Sequence, residues 1–243
     1  MLTPYEKHIQ VELAKWQQKM QQRPGLWSKV SQKIQAKMNG WIPEKVHNAI
    51  TTVIKQMVKG VLFGAEKYTV APLTNLDFEQ QEDQVEAKIA NYQKTAAAEG
   101  GITGAGGFLL GMADFPILLA IKLKLLFDVA AIYGYDVKDY KERLYILHIF
   151  QLAFCSAQRR QQVYQQLVHW KETSKTLPED INQLDWRQLQ QEYRDYIDIA
   201  KMAQLMPVIG APVGAIVNYR LIRKLGETAK NAYRMRYATL QDK

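Results

Sequence analysis

The chain has 243 residues, 47% hydrophobic and 23% charged, proportions that exclude a disordered or fibrous protein and leave room for a core of normal size. Its 32 Lys and Arg against 24 Asp and Glu give a net charge of +8 and a pI near 9.3, which favours anionic partners such as nucleic acid or a phospholipid surface. A single cysteine, Cys155, excludes an intramolecular disulfide framework, and the length is read as one domain over residues 1–243.

From Thr3 the apolar residues Tyr5, Ile9, Leu13, Trp16 and Met20 recur at helical spacing. Thr3 with Glu6 forms a capping-box pattern and Pro4 sits at the first helical position. No basic and then apolar leader precedes this stripe, so no secretory signal is expected and the chain is read as cytoplasmic. Pro24-Gly25 breaks the pattern, and Leu26, Val30, Ile34 and Met38 restart it on a second helix. Pro43-Glu44 opens a third, with Val46, Ile50, Val53, Ile54, Met57, Val61 and Leu62 on its apolar face.

Between Phe78 and Ala98 the chain is charged and alanine-rich, without Gly or Pro, and then changes abruptly to Gly100-Gly101-Ile102-Thr103-Gly104-Ala105-Gly106-Gly107. Val137 to Tyr164 reads as one or two amphipathic helices, Pro178 to Met206 as another, and the last segment runs from Pro207 through Tyr237. Alternation with a period of two is absent over any useful length. The expected fold is all-α, a bundle of roughly eight to ten helices with a glycine-rich helical hairpin near its centre. Cys155, inside the apolar run Ile149 to Phe154, is expected to be a buried structural thiol.

Gly100, Gly104, Gly107 and Gly111, with Gly101 beside them, would lie on one face if a single helix carried them. Gly60 and Gly64, and Gly210 and Gly214, repeat the small-xxx-small spacing. Such stripes let helices pack closely in a core, or line a groove at a membrane edge. The uncharged stretch from Gly100 to Ile121 is interrupted by Asp114, and the run from Leu205 to Tyr219 is short and holds two prolines, so neither reaches the roughly 20 residues of a membrane span. The glycine run also lacks the Gly-Lys-Ser/Thr ending of a phosphate loop.

Asp114 followed by Pro116 reads as a helix cap. The sharper alternative pairs Asp114 with Glu142 as an acid and base. His8, His47, His148 and His169 show no metal-ligand spacing, so no metal site and no cofactor are expected. The C-terminal cations Arg220, Arg223, Lys224, Lys230, Arg234 and Arg236, interleaved with Tyr219, Tyr233 and Tyr237, follow directly on an apolar segment. They are read either as a solvated face or as a contact for anionic headgroups or a membrane protein's cytoplasmic loops. Nothing marks a nucleic-acid recognition element.

Gly101-Ile102-Thr103-Gly104 with Gly106-Gly107, Ala113-Asp114-Phe115-Pro116, Tyr133-Gly134-Tyr135-Asp136 and Glu142-Arg143 together resemble the signature of the EcsC family, most strongly over residues 100–152. The resemblance implies an accessory component of a bacterial ABC transport system, the Ecs transporter, whose ATPase and permease are separate chains. The expected function is therefore assistance of a membrane transporter at the cytoplasmic membrane face, without catalysis. The expected partners are transporter subunits or another membrane protein, together with an anionic membrane surface. A hydrolase using Asp114 and Glu142, or a carrier of lipid or apolar peptide in a glycine-lined groove, are the alternatives.

Overall fold

A computed structural model of the chain describes residues 3–22, 52, 59–62, 71–105, 107–155, 157–177 and 211–241. The helix predicted over 26–38, most of that over 43–62, the helix over 178–206, and Gly64 and Gly210 lie outside these residues. Val61 and Leu62 of the third stripe are described, and both are buried.

The first helix, α1 (Pro4–Gln21), starts as its sequence dictates. Thr3 Oγ1 accepts from the Glu6 N–H and the Glu6 carboxylate accepts from the Thr3 N–H, at 3.1 and 2.8 Å, satisfying two of the donors that a helix start leaves open. Ile9 and Leu13 are buried, and Tyr5, Trp16 and Met20 pack against the core.

The next two helices, α2 (Phe78–Ala105) and α3 (Gly107–Ile132), form an antiparallel hairpin. Asp77 and Gln80 cap the start of α2 reciprocally. Near that end Tyr133, just beyond α3, donates to Glu82, and further along Lys88 and Tyr92 both reach Asp128. The chain reverses within the glycine run. Gly100, Gly101 and Gly104 therefore belong to α2, and Gly107 and Gly111 to α3, so the single-helix stripe does not form. Glycine is about 1 kcal/mol poorer than alanine in a helix interior, and this run is where a long helix breaks with least loss. The cap reading of Asp114 is also corrected. α3 starts well upstream, at Gly107, and its backbone stays helical through Asp114 and Pro116.

After a turn come α4 (Tyr140–Phe154), α5 (Ala157–Val168) and the single turn α6 (Trp170–Thr173). The Val137 to Tyr164 pattern is thus two helices, divided at Cys155. That thiol is buried and donates to the Leu152 carbonyl at 3.4 Å. The C-terminal helix α7 (Ala211–Gln241) is the central strut. It runs antiparallel to α2, from Gln93 beside Tyr219 to Phe78 stacked on Tyr237 at 3.9 Å. It is also antiparallel to α4 and parallel to α3, with Tyr145 donating to Ala232 and Lys122 to Asn218. No strand forms among the described residues.

Helices α2 and α7 approach closely at Gly226, which is buried. A Cβ there would stand 2.5 Å from Ile89 Cγ1 and 2.7 Å from its Cδ1. Ile89 is fully buried and cannot swing away. Gly226→Ala gains helix propensity of about 1 kcal/mol, but overpacking typically costs about 1–3 kcal/mol. A net loss of stability is expected, and because Ile89→Ala clears the added methyl, the double variant is expected to lose less than the sum of the two single losses; urea midpoints of the single and double variants check it.

Candidate functional site

The Tyr133-Gly134-Tyr135 turn organises the polar interior. Gly134 adopts a φ of +83°, a left-handed conformation that suits glycine. Its N–H donates to Ala131 and that of Tyr135 to Ala130, both at 3.0 Å, a Schellman closure of α3. The reversal aims two tyrosines at two different charge sites. Tyr133 donates to Glu82, whereas the Tyr135 ring lies 3.7 Å from the Arg236 guanidinium. Between them stands Tyr233 of α7, its ring 5.4 Å from Tyr133 and 5.1 Å from Tyr135.

Beyond the turn, Asp136 accepts from the Lys138 N–H, and Asp139 caps α4 by accepting from the Lys141 N–H at 2.9 Å. This start places Glu142 in the first turn of α4, facing inward and buried. Both its oxygens are engaged. Tyr233 Oη donates to Oε1 at 2.6 Å, and Arg236 Nη1 donates to Oε2 at 2.7 Å. Burial raises the Glu142 pKa, and Arg236 and Tyr233 only partly oppose it. Burial and the nearby Glu142 hold the Tyr233 hydroxyl well above the ordinary phenol value, so it stays a donor. Burial alone would lower Arg236, but Glu142 beside it outweighs this and the guanidinium is held above its usual value.

A cleft of about 660 Å³ opens beside this pair, between α1, the start of α4, the α5–α6 junction and the C-terminal part of α7. Trp170, Tyr135 and Arg236 form part of its wall. Because folding raises the Glu142 pKa, the unfolded chain ionises first as pH rises past the ordinary value of 4.5. Stability from this group is therefore lost, not gained, as pH rises through that window. Glu142→Gln keeps an acceptor for Tyr233 and removes the titration, so a smaller fall of unfolding free energy across the window is expected. Urea midpoints as a function of pH measure it.

A second cluster binds α7 to α2 and α1. Arg234, buried, donates through Nε and Nη2 to Glu82, with both Nε contacts at 3.0 Å, and through Nη1 to Glu12 at 3.2 Å and Asn231 at 3.3 Å. Lys230, also buried, meets Glu86 at 3.0 Å and Glu227 at 3.5 Å, and Arg223 pairs with the same two carboxylates. Burial raises Glu86, but hydrogen bonds and charge from Lys230 and Arg223 bring it below the ordinary value. In the hairpin, buried Asp128 accepts from Tyr92 at 2.8 Å and from Lys124 and Lys88 at 3.2 and 3.4 Å. Lys122 is fully buried, donates to Asn218 at 3.4 Å, and is lowered by burial to about 7.

The six C-terminal cations therefore divide. Lys230, Arg234 and Arg236 turn inward to carboxylates, Arg223 pairs with Glu86 and Glu227 while staying 45% exposed, Arg220 is exposed, and Lys224 is exposed with its ammonium 5.8 Å from the Phe154 ring centroid. The structure does not bring Asp114 and Glu142 together. Asp114 lies in the half of α3 next to the hairpin turn, with about 27 Å of helix axis between it and Ile132, whereas Glu142 packs beyond the other end of α3. Gly214 lies in the first turn of α7.

The sequence reading missed Glu82, Tyr133, Tyr233 and Asp128 as polar anchors. A signal existed for Glu82, which falls in the buried stripe of Phe78, Val85, Ile89 and Ala96. A carboxylate set into an apolar stripe calls for a partner.

A family model described as the EcsC protein family matches residues 7–238. The chain belongs to the EcsC protein family. It is 42% identical over 226 residues to Protein EcsC of Bacillus subtilis (strain 168), covering 93% of each chain. It is 29% identical over 247 residues to Uncharacterized protein YdbA of the same organism, covering 93% of this chain and 90% of that one. No solved structure matches the chain. The family match begins in α1 and ends in α7, so it takes in every helix that contributes to the Glu82 and Glu142 clusters.

Proposed function

We propose that this EcsC family protein is a non-enzymatic accessory component of a bacterial ABC transport system and works at the cytoplasmic face of the membrane. The observation that carries the non-enzymatic part is the engagement of Glu142. Both its oxygens are tied to α7, so the carboxylate serves helix packing, and the second carboxylate of an acid and base pair is at the other end of the bundle. A buried ion pair of this kind specifies which helices meet.

The transporter part is supported by the family membership and by the resemblance to the Ecs accessory chain. No helix among the described residues is long and apolar enough to cross a membrane. Affinity purification of the full chain from detergent-solubilised membranes of its own cell tests this reading. Recovery of an ABC ATPase or permease with it is expected, and recovery of the chain with neither would overturn the reading.

A further inference from the structure

The exposed face of α7 near its start carries apolar and cationic residues in one stripe. Ile216, Tyr219, Arg220, Arg223 and Lys224 are all exposed and follow the helical spacing of one face. Ile216 and Tyr219 are 53% and 46% exposed, two of the four large hydrophobic residues most open to solvent among the described residues. Their surroundings are set by the topology. Gln93 beside Tyr219 and Lys122 beside Asn218 put the start of α7 at the same end of the bundle as the α2–α3 turn.

That end is poor in charge. Residues 100–121 hold one charged residue, Asp114, with Glu99 just before them on α2, and residues 211–219 hold none. Just behind it comes a collar of cations. Lys94 on α2 and Arg220 and Lys224 on α7 are exposed, while Lys88 and Lys124 are each 45% exposed beside buried Asp128. Exposed Ile216 and Tyr219 flanked by Lys94, Arg220 and Lys224 match a bilayer interface, with acyl chains for the two apolar residues and phosphates for the cations.

We infer that this end of the bundle, with Ile216 and Tyr219 leading and Lys94, Arg220 and Lys224 behind, docks end-on to a bilayer containing anionic glycerophospholipid. The inference rests on the membrane-face reading above and names the partner of that face as lipid. It also gives the protein an orientation. The α1 helix meets α7 near Arg234, about 27 Å along the axis from Ile216, and is held away from the bilayer.

The test uses the full chain and protein-free vesicles, either of phosphatidylcholine alone or mixed with phosphatidylglycerol. Cys155 is only 3% exposed, so an environment-sensitive fluorophore can be placed on Ile216→Cys or, as the control at the far end, on exposed Val11→Cys. Emission from position 216 is expected to shift with anionic vesicles, and emission from position 11 to stay constant. Arg220→Glu with Lys224→Glu is expected to weaken binding at least roughly 25-fold, about fivefold per cation lost from an anionic surface, with the melting temperature lowered only slightly by the lost contact of Lys224 with the Phe154 ring. Ile216→Ser with Tyr219→Ser, which leaves every charge in place, is expected to weaken binding as well.

Equal binding to both vesicle types, a response at position 11 without one at 216, or undiminished binding by the charge-reversed protein would overturn the inference. The transporter reading fails separately. A response at position 216 without recovery of an ABC subunit leaves lipid docking standing and removes the transporter, and recovery of a subunit with no vesicle response does the reverse.

Discussion

Arg234→Met is expected to destabilise the protein by about 3–5 kcal/mol, because it removes one partner of a buried ion pair and leaves the other charge in place. Arg234 and Glu82 are 4% and 3% exposed at their side chains, so water cannot replace the lost bonds. Glu82 would keep only the Tyr133 hydroxyl. A methionine retains much of the stem volume, which makes the loss chiefly electrostatic. Glu82→Gln on its own is also expected to be costly, since it keeps one amide acceptor for Arg234 but removes the buried countercharge and leaves Glu12 as its carboxylate partner. Pairing Arg234→Met with Glu82→Leu removes both charges and is expected to recover a large part of the loss. A double-mutant cycle on denaturant midpoints isolates the coupling.

Arg236→Met is the second variant with a large expected effect, roughly 3 kcal/mol at neutral pH. The affected charge is Glu142, 5% exposed, while Arg236 itself is 24% exposed. Lost stacking over Tyr135 adds about 0.5–1 kcal/mol. The effect depends on pH, and its sign follows from the carboxyl. Burial already holds Glu142 above its ordinary value and Arg236 opposes that rise, so deleting the cation raises the folded-state value further. The penalty is present above that value and is relieved below it by protonation. The stability gap between variant and wild type is therefore expected to narrow as the pH falls from neutral toward 4.5. Adding Glu142→Gln is expected to remove most of the gap at neutral pH, and urea titrations at several pH values check both statements.

The helical class was legible because apolar residues recur with helical period along the described helices, and the Thr3 cap was legible because its chemistry is local. The hairpin was legible as a composition change at Gly100. Its turn was not, since glycines at spacings of four, three and four fit one continuous helix as well as two, and only packing of α2 against α3 chooses. The Asp114 cap failed for a related reason. Asp with a following Pro is a start signal only where a helix starts, and α3 was already under way.

The inward cations were the least legible. Arg234 and Arg236 are only two positions apart, and nothing in the local sequence distinguishes them from exposed Arg220. Their burial follows from α7 lying against α2, α4 and α1, contacts that span most of the chain. Glu142 was legible as a position that matters, through its place after Tyr133-Gly134-Tyr135, but its role depends on Tyr233 and Arg236 nearly a hundred residues later.

The most direct measurement is an add-back to membranes from cells lacking this chain, reading ATP hydrolysis by the ABC transporter that the proposal assigns to it. Wild type and Glu142→Gln are expected to change the rate equally, and the Arg220→Glu, Lys224→Glu protein to leave it unaltered. An inert Glu142→Gln protein of normal stability beside a fully active charge-reversed one would contradict the account, placing the function at the buried carboxylate and away from the end proposed to dock on lipid.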